Sequence, residues 1–323
     1  MRDIEVNVFE NEQYLQSLIE TNQIEQVDLV IKVDPRVISI SNSLKNFGSI
    51  EIKTLSSRIR LIRAKDKQAQ LQVTPTKSIK DLKLILQKKI TTDCDNVRGC
   101  CMSVNGEYFF TDYYLRRRLT GFASDGTFEY DMLLSPSYGF DITFIDEKTI
   151  AITSGDSNEH IGIDVIDTES RRKIKFINLP GRPYGITRDH DSLFVCVERR
   201  GIYKKNVISC DLSSYSYISV FNDKIYYTDW YDNSVVCCDL NGSRVWTFKD
   251  FSVLKSPGGI TLDNDGNVFV VGGGSSNVVI LSNDKILTYD DGFLSPSAIF
   301  FDKQTSKLLV ANNKEIAFLY NVT

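Results

Sequence analysis

Histidine is scarce in this 323-residue chain. His160 and His190 are the two present, and no CxxC pair accompanies them. A structural zinc site needs four Cys or His ligands at set spacings, so no metal or cofactor is expected. There is no GxSxG motif, and the two histidines fall in different predicted loops without a partnering Cys, which removes the usual arrangements for nucleophilic catalysis. There is also no run of about 18 apolar residues, the length a membrane-crossing helix requires. The N-terminus, MRDIEVNVFENEQ, has neither a basic n-region nor an apolar h-region, so a cytoplasmic protein away from membranes is expected. Seven cysteines is an odd number without a secretory signal. Cys100-Cys101 and Cys237-Cys238 are adjacent pairs on predicted strands, where neighbouring side chains point to opposite faces, so they read as buried thiols. Gly272-Gly273-Gly274 lies between two strands rather than before a helix, and is not expected to cradle phosphate.

What the chain does contain is a repeated β meander. Ile225 to Trp246, IYYTDWYDNSVVCCDLNGSRVW, shows it in full. Ile225 to Thr228 is an aromatic, β-branched run suited to a pleated surface. Asp232-Asn233 turns the chain, Ser234 to Leu240 runs back, and Asn241-Gly242 makes a tight hairpin into the next strand. With Tyr217 to Phe221 before it, the unit is a four-stranded antiparallel meander. Such a sheet cannot cover both its own faces, so copies must stack.

Six copies follow one another, opening near Asn96, Ser137, Arg182, Ser214 or Ser216, Ser256 and Ser295. Their spacing of about 32 to 46 residues, with four strands each, predicts an all-β, six-bladed propeller. The last copy has room for three strands before Thr323. Its missing outer strand is expected from Ser78 to Lys88, SIKDLKLILQK, which has nothing local to pair with; helix is the competing reading for Lys80 to Lys89. The predicted organisation is therefore residues 1–27 as the end of a coiled-coil helix, 28–74 as a β-rich linker, and 75–323 as the propeller. Tyr14, Leu15, Leu18, Ile19 and Ile24 share one face of that helix and offer a route to oligomerisation. Residues 1–90 carry 15 basic and 11 acidic groups, and the remainder 23 and 31. An acidic repeat domain argues against bulk nucleic-acid binding but leaves room for a local basic patch.

In a propeller the loops joining the second and third strands of each blade, together with the connections between blades, lie on one face. That rule gathers Arg98, Tyr113, Tyr114, Arg116, Arg117, Arg118, Tyr138, Arg182, Tyr184, Arg199, Arg200, Trp230 and Tyr231 on one surface. Arginine and aromatic residues dominate protein-binding hot spots and also stack on bases. A protein partner is expected there, with single-stranded RNA as the alternative ligand. A third reading is hydrolysis, because six-bladed calcium-dependent lactonases resemble such chains in length and repeat. Their chemistry needs oxygen ligands converging on the central channel. The inner-strand positions here, such as Arg98-Gly99, Tyr184-Gly185 and Gly258-Gly259, supply none.

The openings SPGGITLDNDGNVFVV and SYGFDITFIDEKTIAITSG, and the lead-in PTKSIKDLKLILQKKITTDCDNVRGC, resemble the NHL-like propellers at the C-terminus of tripartite-motif proteins. The resemblance implies the substrate-recognising end of a ubiquitin ligase. The RING and B-box cysteine and histidine spacings of that family are absent from this chain, so no catalytic residue is expected. IYYTDWYDNSVVCCDLNG is also similar to one repeat of the YWTD propellers, but the other copies lack that motif.

Overall fold

A computed structural model describes residues 26–32, 49–55, 82–204, 207–208, 212–282, 285–290 and 292–323. The chain divides into two compact units, 1–74 and 75–323. In the first, β1 (Gln26–Lys32) and β2 (Ser49–Leu55) pair antiparallel, Gln26 opposite Leu55 and Lys32 opposite Ser49. The helix expected over 14–27 lies outside the described residues, apart from Gln26 and Val27, which open β1.

The second unit is a six-bladed propeller, each blade a four-stranded antiparallel sheet. Blade 1 holds β4 (Val97–Met102), β5 (Tyr108–Asp112), β6 (Arg118–Phe122) and β7 (Phe128–Leu133). Blade 2 holds β8 (Ile142–Phe144), β9 (Thr149–Thr153), β10 (Gly162–Asp167) and β11 (Arg172–Asn178). Blade 3 holds β12 (Pro183–Asp189), β13 (Ser192–Val197), β14 (Gly201–Tyr203) and the two-residue β15 (Val207–Ile208). Blade 4 holds β16 (Ile218–Phe221), β17 (Lys224–Asp229), β18 (Ser234–Asp239) and β19 (Arg244–Phe248). Blade 5 holds β20 (Pro257–Leu262), β21 (Val268–Gly272), β22 (Asn277–Ser282) and β23 (Lys285–Tyr289). Blade 6 combines β24 (Pro296–Asp302), β25 (Lys307–Asn312) and β26 (Ile316–Val322) with β3 (Leu84–Thr91), which precedes blade 1 in sequence.

This last pairing closes the ring. β3 runs beside β26 from Thr91 opposite Ile316 to Leu84 opposite Val322, and Lys83 and Thr323 exchange backbone hydrogen bonds at the end. The closing strand thus begins further along the chain than Ser78 to Lys88. The buried Ile90 sets its register by joining the apolar cluster between blades 6 and 1.

Burial explains the strand sequences. The second strand of each blade is covered on both faces by its neighbours, so β5 and β21 are buried at every position. The outermost β7, FEYDML, alternates and stays exposed at Phe128 and Leu133. Apolar clusters bridge consecutive blades: Phe269, Val271, Val278 and Ile280 of blade 5 pack with Ile299, Phe301, Leu308 and Val310 of blade 6.

Around the channel the innermost strands nearly touch. A Cβ on Gly99 would lie 2.9 Å from the Asp141 Cα, and one on Gly185 2.5 Å from the Tyr217 Cα. Glycine is therefore required at both positions. Threonines latch adjacent blades at this radius. Thr111 Oγ1 accepts from Gly99 N (2.8 Å) and donates to Phe140 O (2.8 Å) of the next blade. Thr153 and Thr228 repeat the arrangement, donating to Tyr184 O and Gly258 O. These latches fix where the residues at the mouth of the channel stand.

Candidate functional site

The upper face carries the loops between second and third strands. In blade 1 that loop is Tyr113 to Arg117, with Tyr114 and Arg117 at positive φ. The sharp backbone throws Tyr114 and Leu115 outward, both more than half exposed. It turns Tyr113 inward, where it is buried. The Tyr113 hydroxyl donates to Asp156 Oδ2 (2.6 Å), in the corresponding loop of blade 2. Tyr184 of blade 3 donates to Asp156 Oδ1 (2.6 Å), and Tyr215, ahead of blade 4, to Oδ2 (3.0 Å). One carboxylate therefore ties together the tops of four blades.

Burial, reinforced by the Asp156 charge, raises the Tyr113 and Tyr184 hydroxyls well above the usual tyrosine range. The same two causes push Tyr215 up to about 12. All three stay protonated donors near neutral pH and supply no tyrosinate base.

The rings form an unbroken path. The Arg117 guanidinium lies 4.0 Å over Tyr138, which meets Tyr113 edge-on (centroids 5.8 Å). Tyr113 meets Phe140 (5.5 Å), Phe140 meets Tyr184 (5.1 Å), and Tyr184 meets Tyr215 (5.1 Å). Tyr215 reaches Trp230 (6.3 Å), which stands against Tyr231 (5.0 Å). The path is buried at its centre and exposed at its ends, at Tyr114 and at Trp230 and Tyr231. Arg199 and Arg200, in the β13–β14 turn, are also exposed. Beside them a groove of about 510 Å³ runs between Arg199 and Tyr231, bordered by Glu198, Asp229 and Asp232.

Three of the sequence-predicted arginines are tied down by partners. Arg116 pairs with Asp95 (2.6 Å) and Asp93 (3.2 Å). Arg118 pairs with Asp131 (2.9 Å) and the buried Asp112 (3.2 Å). Arg182 donates to Asn158 Oδ1 (2.6 Å) and stands 3.9 Å from Asp156. The face thus has fewer uncommitted cations than its sequence suggests.

Arg98 sits lower, on the innermost strand β4. The Tyr217 hydroxyl of blade 4 donates to its carbonyl (2.7 Å), linking opposite sides of the ring and flooring the mouth. Above this floor, towards blades 5 and 6, a cavity of about 260 Å³ opens between Tyr215, Tyr217 and Trp230 on one side and Ser256, Gly258, Gly273, Gly274, Ser295 and Asn313 on the other. Half of the mouth is filled by aromatic rings and the other half left open by small residues.

Below the floor, Asp141 borders a second cavity with Cys100, Thr187 and Ser219. It keeps some surface because the channel reaches it, yet lies deep in the protein. Burial raises its pKa to about 7 against the backbone N–H groups of Ile142 and Ile186, which favour the ionised form. Among the described residues no group of three or more His, Cys, Asp or Glu is placed to hold a metal.

Asp156, Tyr215 and Phe140 were not among the residues picked out from sequence. Asp156 looks like a turn residue in SGDSNEH, and its role exists only when loops 28 to 59 residues away converge on it. Gly273 and Gly274 stand in a run that the sequence argues against as a phosphate loop; their contribution here is space beside the cavity.

No family model and no curated protein matches the chain. Solved structures do. Virginiamycin B lyase from Staphylococcus aureus superposes with a TM-score of 0.54 and 18% identity, over 74% of this chain and 99% of that one. A structural-genomics protein of unknown function from Bacteroides thetaiotaomicron gives 0.60 and 16%, over 75% and 76%. A luciferin-regenerating enzyme gives 0.58 and 13%, over 73% and 95%. At these identities the likeness concerns the propeller fold, which serves many functions.

Proposed function

We propose that the chain is a recognition module whose upper propeller face binds a protein partner. The observation that carries this reading is the aromatic path from Tyr114 to Tyr231, rigidly backed by Asp156 and the blade latches and exposed at both ends. Preordered aromatic and arginine side chains contribute contact area at small entropic cost, which is what a hot spot requires. The resemblance to tripartite-motif propellers supports a finer version, in which a cytoplasmic partner is selected for a ubiquitin ligase.

Single-stranded RNA would use the same stacking surfaces. Its phosphates would however meet Glu198, Asp229 and Asp232 beside Tyr231, and arginines already committed to aspartates. These features favour a protein ligand.

The test is selection of binders to the intact chain from a randomised peptide display library, beside a randomised single-stranded RNA pool at low and moderate salt. Peptides whose binding is lost in Arg117→Glu and Arg200→Glu, with the fold retained, support the reading. A defined RNA sequence that survives moderate salt would replace it, since non-specific phosphate contacts weaken steeply with salt.

A further inference from the structure

The cavity above Tyr217 has an unusual polar balance. Arg98 is its one charged lining residue. Among the described residues the guanidinium forms no ion pair, and its buried Nε has no hydrogen-bond partner. It lies 6.0 Å over the Tyr113 ring and close enough to the Tyr217 hydroxyl to oppose the effect of burial on it. Its counterparts Arg116 and Arg118 each hold two or more aspartates. A half-buried cation without a neutralising partner is costly, and an incoming anion would relieve that cost. In the same cavity Asn313 leaves its buried Oδ1 without a donor. The site therefore lacks one anion and one N–H.

We infer that this cavity receives a carboxylate carried by a peptide residue, the carboxylate against Arg98 and that residue's amide N–H towards Asn313 Oδ1. The chemistry fits either an acidic side chain or a C-terminal carboxylate. At about 260 Å³ the cavity is smaller than the usual site for a whole small-molecule ligand and suits one residue of a longer chain. Trp230, on its rim, joins it to the aromatic path. The inference rests on reading the upper face as a protein-binding surface, and it names the group that anchors the partner.

Trp230 provides the readout. The chain has two tryptophans, so a Trp246→Phe background isolates its fluorescence. The intact protein is titrated with N-acetylglycine for the C-terminal source and N-acetylglutamate α-methylamide for the side-chain source. Acetate and neutral N-acetylglycinamide serve as comparisons. Saturable binding of at least one of the first two is expected, with N-acetylglycinamide at least about tenfold weaker. Arg98→Gln should weaken the carboxylate by at least about tenfold, with Arg98→Lys in between because it keeps charge but loses the fork. Asn313→Leu should weaken the amide-bearing probe several-fold and leave acetate unchanged. The relative affinity of the two carboxylate probes identifies the source.

The inference is overturned if neither carboxylate saturates, if the neutral amide binds as well, or if Arg98→Gln, or Arg98→Lys should the former not fold, binds like the parent. Display-selected peptides that ignore Arg98→Gln would also overturn it while leaving the binding face intact. Carboxylate binding through Arg98 with no peptide ever selected would do the reverse, keeping the anion site and removing the protein-partner reading.

Discussion

Replacing Asp156 by alanine tests the central claim about the upper face, that one carboxylate organises four blades. The substitution strips the acceptor from three hydroxyls, at 2.6, 2.6 and 3.0 Å. Hydrogen bonds to a charged group contribute about 1.5 to 3 kcal/mol each. The three do not count equally. Tyr113 and Tyr184 are 3% and 1% exposed and have little access to water, whereas Tyr215 is only partly buried and rehydrates more readily. The expected loss is therefore about 3 to 6 kcal/mol, essentially that of the two more buried hydroxyls. Urea unfolding should show a lowered midpoint at an unchanged slope, the sign of a stability change without a change in the surface exposed. A double-mutant cycle with Tyr184→Phe isolates the pair, and a coupling of about 1.5 to 3 kcal/mol is expected. Coupling below about 0.5 kcal/mol, the level of ordinary additivity, would refute the hub. The tyrosines would then be held by ring packing alone.

Thr111→Val keeps the shape of the side chain but removes the latch between blades 1 and 2, leaving the buried Gly99 N–H and Phe140 carbonyl without this partner. A loss of about 2 to 4 kcal/mol in chemical denaturation is expected, and a neutral result would remove the latch from the account. Asp141 should make stability depend on pH. Its folded pKa of about 7 stands above the ordinary 3.8, so the protonated form's contribution is fully present below about pH 4 and is lost as pH rises through 7. The gap amounts to at most about 4 kcal/mol, less whatever channel water recovers. Cys100 and Tyr217, which feel its charge, have thiol and phenol pKa values raised further and remain neutral over this range. Asp141→Asn should flatten the curve of thermal midpoint against pH between 4 and 8; an unchanged curve would place the titration elsewhere. Starting the chain at Asp93 removes β3 and bares the edge of β26. Sedimentation should then show concentration-dependent self-association, and a stable monomer would mean that β3 is dispensable for closure.

Much of the architecture was legible in local pattern. The alternation of apolar runs with Asp, Asn and Gly turns is a property of neighbouring residues, so six copies and their four-strand content could be counted directly. The closing strand could be inferred because the sixth copy was one strand short. Its start was misplaced by several residues because apolar alternation runs through both 79–88 and 84–91. Only pairing with Ile316 to Val322 selects the register.

The site was legible only as a list of loop residues on one face. Residue type and loop position placed Tyr114, Trp230, Tyr231, Arg117, Arg199 and Arg200 at the surface, where local sequence suffices. They could not separate these from Arg116 and Arg118, whose aspartate partners include Asp93 and Asp131, brought in by a connection before the blade and by its outermost strand. Sequence by itself determined the repeat, the number of blades and the chemical character of one face, because each follows from spacing and composition. Tertiary structure alone decided that Tyr113, Tyr184 and Tyr215 share Asp156, and that Arg98 meets Tyr217 from 119 residues away. Such convergence depends on the radius at which the ring closes, and that radius is set by how closely the inner strands pack at Gly99 and Gly185, a property of the whole ring that no single repeat contains.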